Sequence, residues 1–313
     1  MNIVFMGTPD FAVPILEAIL EEGHHVSLAV TQPDRPKGRK KTLTPPPVKA
    51  AAEKHNLPVF QPEKIKNDYL PVIEARPDLI VTAAFGQILP DEVLELPEYG
   101  AINVHASLLP KYRGGAPIHQ AVIDGEPETG ITIMYMVQKL DAGDMLMKRA
   151  LPITEKDTTG TMHDKLSLLG AQMIKEILPL IKEGSVYPEK QNVEEVSFAP
   201  NITKEMELIN WEQSAVKISN LIRGLNPWPV AYTTFAGIRF KIWEAEPLEQ
   251  NTDAAPGTVV KAEGKELHVA CGNGSILALL RVQPSGKKPM DIATFRNSAG
   301  KELVNGAVLG SNE

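Results

Sequence analysis

Cysteine is almost absent from this chain: Cys271 stands alone among 313 residues. One thiol excludes an internal disulfide and a thiolate metal cluster, and it suits a reducing compartment. Long apolar runs are missing too, and none reaches the ~20 residues that a membrane-spanning helix needs. Strand-like residues begin at Asn2, which leaves no room for a charged leader and a cleavable apolar stretch. The expectation is a cytoplasmic protein with no membrane partner. Net positive charge is lacking: 32 Lys and Arg face 39 Asp and Glu, net −7. That excludes a uniformly basic nucleic-acid coat, while a local basic patch stays allowed. The 7 histidines, at positions 24, 25, 55, 105, 119, 163 and 268, show no ligand spacing, so no metal is expected.

What is present is enough apolar material, 43% of residues, for two cores. The first part alternates strand and helix patterns. Residues 2–6, 26–31, 57–60, 78–83 and 101–105 read as strands, and Ile15, Leu16, Ile19 and Leu20 recur at helical spacing. Thr8 is placed to cap that helix, Gly23 to end it, and Pro14 to bend it. Residues 48–55 and 159–180 read as helices, and 131–137 and 145–153 as a final pair of strands. Strands separated by helices predict a Rossmann-type, mostly parallel sheet. Residues 190–207, with Pro200 and few large apolar groups, have linker composition. A helix at 214–225 follows. Short strand-like runs come next at 231–235, 239–244, 257–261, 267–270 and 275–282. Strands in that succession predict a C-terminal OB-like β-barrel. The expected fold is therefore α/β: a Rossmann-type domain over 1–189, a linker over 190–207, and a barrel domain over 208–313.

The first strand–helix turn, Gly7-Thr8-Pro9-Asp10, lacks the G-x-G-x-x-G pattern of a dinucleotide site. Pro9 has no N–H to offer a pyrophosphate, and Asp10 would repel one. In an open α/β sheet the site lies at the carboxyl ends of the strands. Residues 7–11, 85–89, 103–107 and the segment before Met145 are expected there. Asn103 and His105 are two apart at a strand end and so share one face. A neutral donor and a potentially cationic one, side by side, could hold a developing oxyanion. Lys139-Leu140-Asp141-Ala142-Gly143-Asp144 is a turn with two carboxylates. On chemistry alone Asp141 is either a turn residue or, if it reaches His105, the group that orients the imidazole.

Asn103-x-His105 followed by Ser107-Leu108-Leu109-Pro110, with Leu140-Asp141-x-Gly143-Asp144 later, resembles the folate-dependent formyltransferase superfamily. The resemblance implies a catalytic triad of Asn103, His105 and Asp141. It implies a folate cleft lined by Phe85, Gly86, Gln87, Ile88, Leu89, Ser107, Leu108, Leu109 and Pro110. Gly7-Thr8-Pro9-Asp10-Phe11, Thr31-Gln32-Pro33-Asp34-Arg35-Pro36 and Ile222-Arg223-x-Leu225-Asn226-Pro227-Trp228-Pro229 resemble the branch of that superfamily that acts on methionyl-tRNA. The implied reaction moves a formyl group from 10-formyltetrahydrofolate to the α-amino group of initiator methionyl-tRNA. Ala106 departs mildly from the family pattern, where Gly is frequent.

Residues 34–49 carry six bases, Arg35, Lys37, Arg39, Lys40, Lys41 and Lys49, against Asp34. This basic stretch leaves a strand's carboxyl end. It is also longer than the ~2–6 residues usual for such a connection. It reads as an extended arm beside the site, suited to phosphates of a tRNA acceptor stem. Arg35, Lys37, Arg39, Lys40 and Lys41 are its candidate contacts, and the resemblance singles out Arg39. Two other readings compete: an amino-sugar nucleotide formyltransferase, which needs no such arm, and a non-catalytic nucleic-acid-binding module, which needs no triad. A monomer is the expected state.

Overall fold

Ile3, Val4, Phe5 and Met6 are all fully buried, so the first strand is covered on both faces, as a central parallel strand must be. The computed structural model describes residues 1–38 and 41–310, without the side chain of Lys37. The chain begins with β1 (Asn2–Gly7), α1 (Val13–Glu21), β2 (His25–Val30), β3 (Arg35–Lys37), β4 (Thr42–Thr44), α2 (Pro47–Lys54) and β5 (Val59–Phe60). It continues with α3 (Leu70–Glu74), β6 (Leu79–Ala83), α4 (Asp91–Leu94), β7 (Ala101–His105), α5 (Pro117–Asp124), β8 (Glu128–Tyr135), β9 (Met145–Pro152) and α6 (Thr159–Glu183). The remaining elements are α7 (Ala215–Gly224), β10 (Tyr232–Phe235), β11 (Ile238–Asn251), β12 (Val259–Glu263), β13 (Glu266–Ala270), β14 (Ser275–Pro284), β15 (Met290–Asp291) and α8 (Ile292–Arg296).

Two units result. The first comprises Met1–Pro117, Glu128–Pro152 and His163–Pro200; the second comprises Ile118–Pro127, Ile153–Met162 and the chain from Asn201 onward. In the first, seven strands are ordered β5-β2-β1-β6-β7-β8-β9. β5 through β7 pair in parallel, and β8 and β9 add antiparallel. The mostly parallel sheet is thus as expected. Ile3, Phe5, Met6, Ile15, Leu16, Ile19, Leu79 and Ile80 are fully buried. Each such side chain contributes about 1.5–3 kcal/mol by leaving water.

Three local expectations are corrected. Thr8 does not cap α1: its hydroxyl donates to the Phe85 carbonyl at 3.0 Å and accepts from Gln32 N at 3.3 Å, tying three strand ends together. A short 3₁₀ turn, Asp10–Ala12, precedes α1, so Pro14 falls in the helix's first turn, where no N–H partner exists to lose. The segment before Met145 does come to the carboxyl end of β7, where Asp141 Oδ2 stands 3.8 Å from His105 Nδ1. β9 runs parallel to β7, and Met145 lies level with Asn103 through Met134. The expected linker, 190–207, is also ordered differently in its first half. Residues up to Pro200 belong to the first unit, where Ala199 N donates to the Arg113 carbonyl at 2.7 Å and Arg113 N to the Ser197 carbonyl at 2.9 Å.

In the second unit, Ser214 caps α7 by accepting from Lys217 N. Ile218 and Ile222 from that helix share a core with Trp211, Phe240, Ile242, Leu267, Leu277 and Phe295. The sheet is antiparallel in the order β10-β11-β14-β13-β12, with β15 on β14. Register shifts within β11 at Ile242/Glu244 and Leu248/Asn251 bend that long strand. The expected succession of strands is present. Among the described residues no ladder joins β12 to β10 directly; the segment 306–310 bonds to both, Gly306 N donating to the Val259 carbonyl and Gly310 N to the Thr234 carbonyl, each at 2.8 Å. No helix of the described residues is long and apolar enough to cross a membrane.

Candidate active site

β7 brings Asn103 and His105 to one face of the first sheet, with buried Val104 on the other. Each side chain is held by a group that carries no chemistry of its own. Thr82, buried on the neighbouring β6, donates its hydroxyl to Asn103 Oδ1 at 2.8 Å. The amide is thereby oriented with its oxygen toward the protein and its NH₂ toward the open face.

His105 is only 6% exposed. Its Nε2 lies 3.0 Å from the Tyr112 carbonyl oxygen. A carbonyl only accepts, so Nε2 carries the hydrogen and donates it, which leaves Nδ1 for chemistry. Tyr112 adopts φ +61°, a left-handed conformation that a bulky residue takes only under constraint. Its N–H, donating to Ser197 Oγ at 2.9 Å, supplies part of that constraint.

Asp141 does reach this pair. Its Oδ2 stands 3.8 Å from His105 Nδ1. That is too long for a hydrogen bond and close enough for strong charge coupling. The same Oδ2 accepts from Gly114 N at 2.8 Å. Asp141 also has a left-handed backbone, φ +46°. Two glycines make this loop possible. A Cβ on Gly143 would run into the Tyr135 carbonyl oxygen, and one on Gly114 would meet the Ala199 carbonyl oxygen at 2.6 Å.

The residues expected to line a folate cleft divide into two kinds. Phe85, Leu89, Ser107, Leu109 and Pro110 are buried. Ser107 Oγ donates to the Lys111 carbonyl at 2.7 Å, and Leu109 packs with Met134 and Met145. Gln87 is also committed, its amide bridging Ile65 N and the Pro62 carbonyl. Leu108 is half-buried. This leaves the backbone around Gly86 (φ +85°) and the side chain of Ile88, 69% exposed, as what the 85–89 segment offers to solvent. Gln138 Nε2 donates to Asp91 Oδ1 at 2.6 Å and to the Leu89 carbonyl at 3.3 Å, so this segment and the Asp141 loop are neighbours.

Of the basic arm, Arg39 and Lys40 lie outside the described residues, as does the Lys37 side chain. The rest is more structured than an extended arm. β3 and β4 form an antiparallel hairpin pairing Arg35 with Thr44 and Lys37 with Thr42. Lys49 is bound in a pair with Asp34 at 2.9 Å. Hydrogen bonds from Gln61 and then Lys49 hold the Asp34 carboxyl below its ordinary range. Arg35 pairs with Glu63 at 2.8 Å in full solvent, an arrangement of little energetic weight. Lys41 is exposed.

Sequence reasoning missed Thr82, the Tyr112 carbonyl, Arg113 and Gln191 as parts of this site. Gln191 sits in a stretch that reads as linker, and no pattern marks it. Gly143 was visible only as a turn residue.

A Rossmann-type sheet that brings an amide donor and an imidazole together, with a loop carboxylate beside them, can stabilise the oxyanion of an acyl transfer. Comparison with known proteins narrows that class. The formyl transferase profile matches residues 1–178 and the formyl transferase C-terminal domain profile matches 201–300; the chain belongs to the formyl transferase family. A methionyl-tRNA formyltransferase of Bacillus subtilis is 55% identical over 313 residues, covering 99% of this chain and 98% of its own. One of Enterococcus faecalis is 54% identical over 305 residues, 97% of each chain. Solved structures share the fold at lower identity. The sugar 3N-formyl transferase WlaRD, solved in the presence of dTDP and 5-N-formyl-THF, has a TM-score of 0.66 at 18% identity and covers 92% of this chain and 99% of its own. HypX from Aquifex aeolicus in complex with tetrahydrofolic acid has a TM-score of 0.66 at 17% identity, and this chain spans 48% of it.

Proposed function

We propose that this chain is a cytoplasmic enzyme that transfers the formyl group of 10-formyltetrahydrofolate to the α-amino group of initiator methionyl-tRNA. The observation that carries the reading is Asn103 and His105 on one sheet face with the Asp141 carboxylate 3.8 Å from His105 Nδ1. Relatedness of 54–55% over nearly the whole chain to methionyl-tRNA formyltransferases supports the substrate.

The amine nitrogen attacks the formyl carbon, a C–N bond forms, and the carbonyl oxygen becomes an oxyanion. Asn103 Nδ2 donates to that oxygen, and His105, protonated on Nδ1, supplies the second donor. The imidazolium is held between the Tyr112 carbonyl and the Asp141 carboxylate, which balances its charge. Collapse breaks the bond from the formyl carbon to N10. His105 gives its Nδ1 proton to the departing N10, and the proton released by the attacking amine passes through Asp141 back to Nδ1, so the site ends as it began. Asn103, His105 and Asp141 are thus the proposed catalytic residues. The folate lies along Phe85–Leu89 and Ser107–Pro110, meeting mainly backbone and Ile88. The basic arm, with Arg35, Lys37, Arg39, Lys40 and Lys41, contacts acceptor-stem phosphates, and the C-terminal residues 208–313, net +1, add to tRNA binding.

Incubation with 10-formyltetrahydrofolate and either charged initiator tRNA or an amino-sugar nucleotide tests this reading. Formylation of the tRNA alone is expected. A formylated sugar and no formylated tRNA would sink it.

A further inference from the structure

The Asp141 loop is built from conformations that would not persist unaided: Asp141 itself is left-handed at φ +46°. One side chain from the stretch that reads as linker grips its backbone. Gln191 Nε2 donates to the Asp141 carbonyl at 2.9 Å and to the Gly143 carbonyl at 2.8 Å, so one amide clamps the backbone on both sides of Ala142. Its Oε1 accepts from Arg113 Nε at 3.1 Å and Nη2 at 2.7 Å.

This chemistry admits one orientation. A guanidinium only donates and the two carbonyls only accept, so Oε1 must face Arg113 and NH₂ must face the loop. Arg113 is buried and, among the described residues, makes no ion pair. Its backbone is pinned by Ser197 and Ala199, while Glu189 exchanges hydrogen bonds of 2.7 and 2.8 Å with Met145. The segment bearing Gln191 is therefore anchored on either side. Gly114, the residue after Arg113, donates to Asp141 Oδ2 at 2.8 Å. Arg113–Gly114 thus holds Asp141 twice, through the carboxylate directly and through the backbone by way of Gln191.

We propose that Gln191 is a positioning residue for the transfer reaction, which sets the Asp141 carboxylate at its working distance from His105. The inference rests on the formyl-transfer reading above. Gln191 touches neither substrate in this scheme; it acts through Asp141.

The test compares full-length wild type, Gln191→Met, Gln191→Glu and Val193→Ser, each also in an Asp141→Asn background, by single-turnover formylation. Gln191→Met fills the volume without hydrogen bonds. Gln191→Glu keeps an acceptor for Arg113 but turns an oxygen toward two carbonyls. Val193 is 76% exposed on the same segment and serves as the control. Both Gln191 variants are expected to lose about 10–100-fold in kcat, with KM for each substrate nearly unchanged, because a displacement near 1 Å costs on that order. In the Asp141→Asn background the same changes should cost less than about 2-fold, since the group they position is gone. A reduced folded fraction would instead lower the rate equally in both backgrounds, and that result overturns the proposal. So does wild-type kcat in either Gln191 variant. If Gln191→Met does not fold, Gln191→Glu, which retains the contact to Arg113, is read in the same way. A wild-type protein that formylates no tRNA would overturn the underlying reading, and this proposal with it.

Discussion

Asp141→Asn isolates charge from shape. The substituted side chain keeps an oxygen for the Gly114 N–H, which now donates to Oδ2 at 2.8 Å, so the loop should hold its place. What disappears is a negative charge 3.8 Å from His105 Nδ1. With an effective dielectric near 20, that charge stabilises an adjacent imidazolium by about 4 kcal/mol. Stabilisation of that size corresponds to about three decades in rate if it acts wholly in the transition state. The atom that stays nearest Nδ1 is then a neutral amide oxygen. The expected result is a loss on the order of 10³ in kcat, with folate and tRNA binding retained and the thermal transition within a few degrees of wild type. Single-turnover formylation with purified, folate-loaded protein measures it. A variant that keeps its fold and loses less than about 10-fold would show that the Asp141 charge is not coupled to the reaction, and the mechanism would have to place the proton elsewhere.

Asn103→Ala should lose about 10²–10³ in kcat as an oxyanion donor disappears. Thr82→Val, which removes only the group that orients that amide, should lose less, and it should cost about 1–2 kcal/mol of stability by leaving Asn103 Oδ1 unpartnered, seen in a denaturant melt. Cys271 is buried, and burial pushes its thiol up to about 12. Iodoacetamide at pH 8 should therefore leave the native protein unlabelled and modify it only in denaturant; rapid native labelling would contradict the packing of the second unit. Arg39→Ala should raise KM for tRNA, spare folate binding and lower the salt slope of tRNA binding by about 0.7–0.9; unchanged slopes would reduce the arm to a solvated connection.

The chain's local chemistry determined a good deal without any structure. The short apolar stretches within 2–6 and 78–83 read as buried strands, because a central parallel strand is covered on both faces. Asn103 and His105 had to share a face because strand side chains alternate. The short strands after the helix at 214–225 implied an antiparallel sheet because no helix separates them.

Tertiary structure decided what depends on residues far apart in the chain. Whether Asp141 was a turn residue or a partner of His105 rested on how the connection between β8 and β9 folds back from a point level with Asn103, which no spacing encodes. That the hydroxyl of Thr82, the carbonyl of Tyr112 and the amide of Gln191 hold the three polar side chains could not be read either. A backbone carbonyl has no sequence signature, and a glutamine in a polar stretch looks like any solvated residue until Arg113 and two carbonyls surround it. Sequence patterns record what each residue prefers locally, whereas the geometry of the site is set by hydrogen bonds that close only once the sheet and the segment from Glu189 to Ala199 have come together.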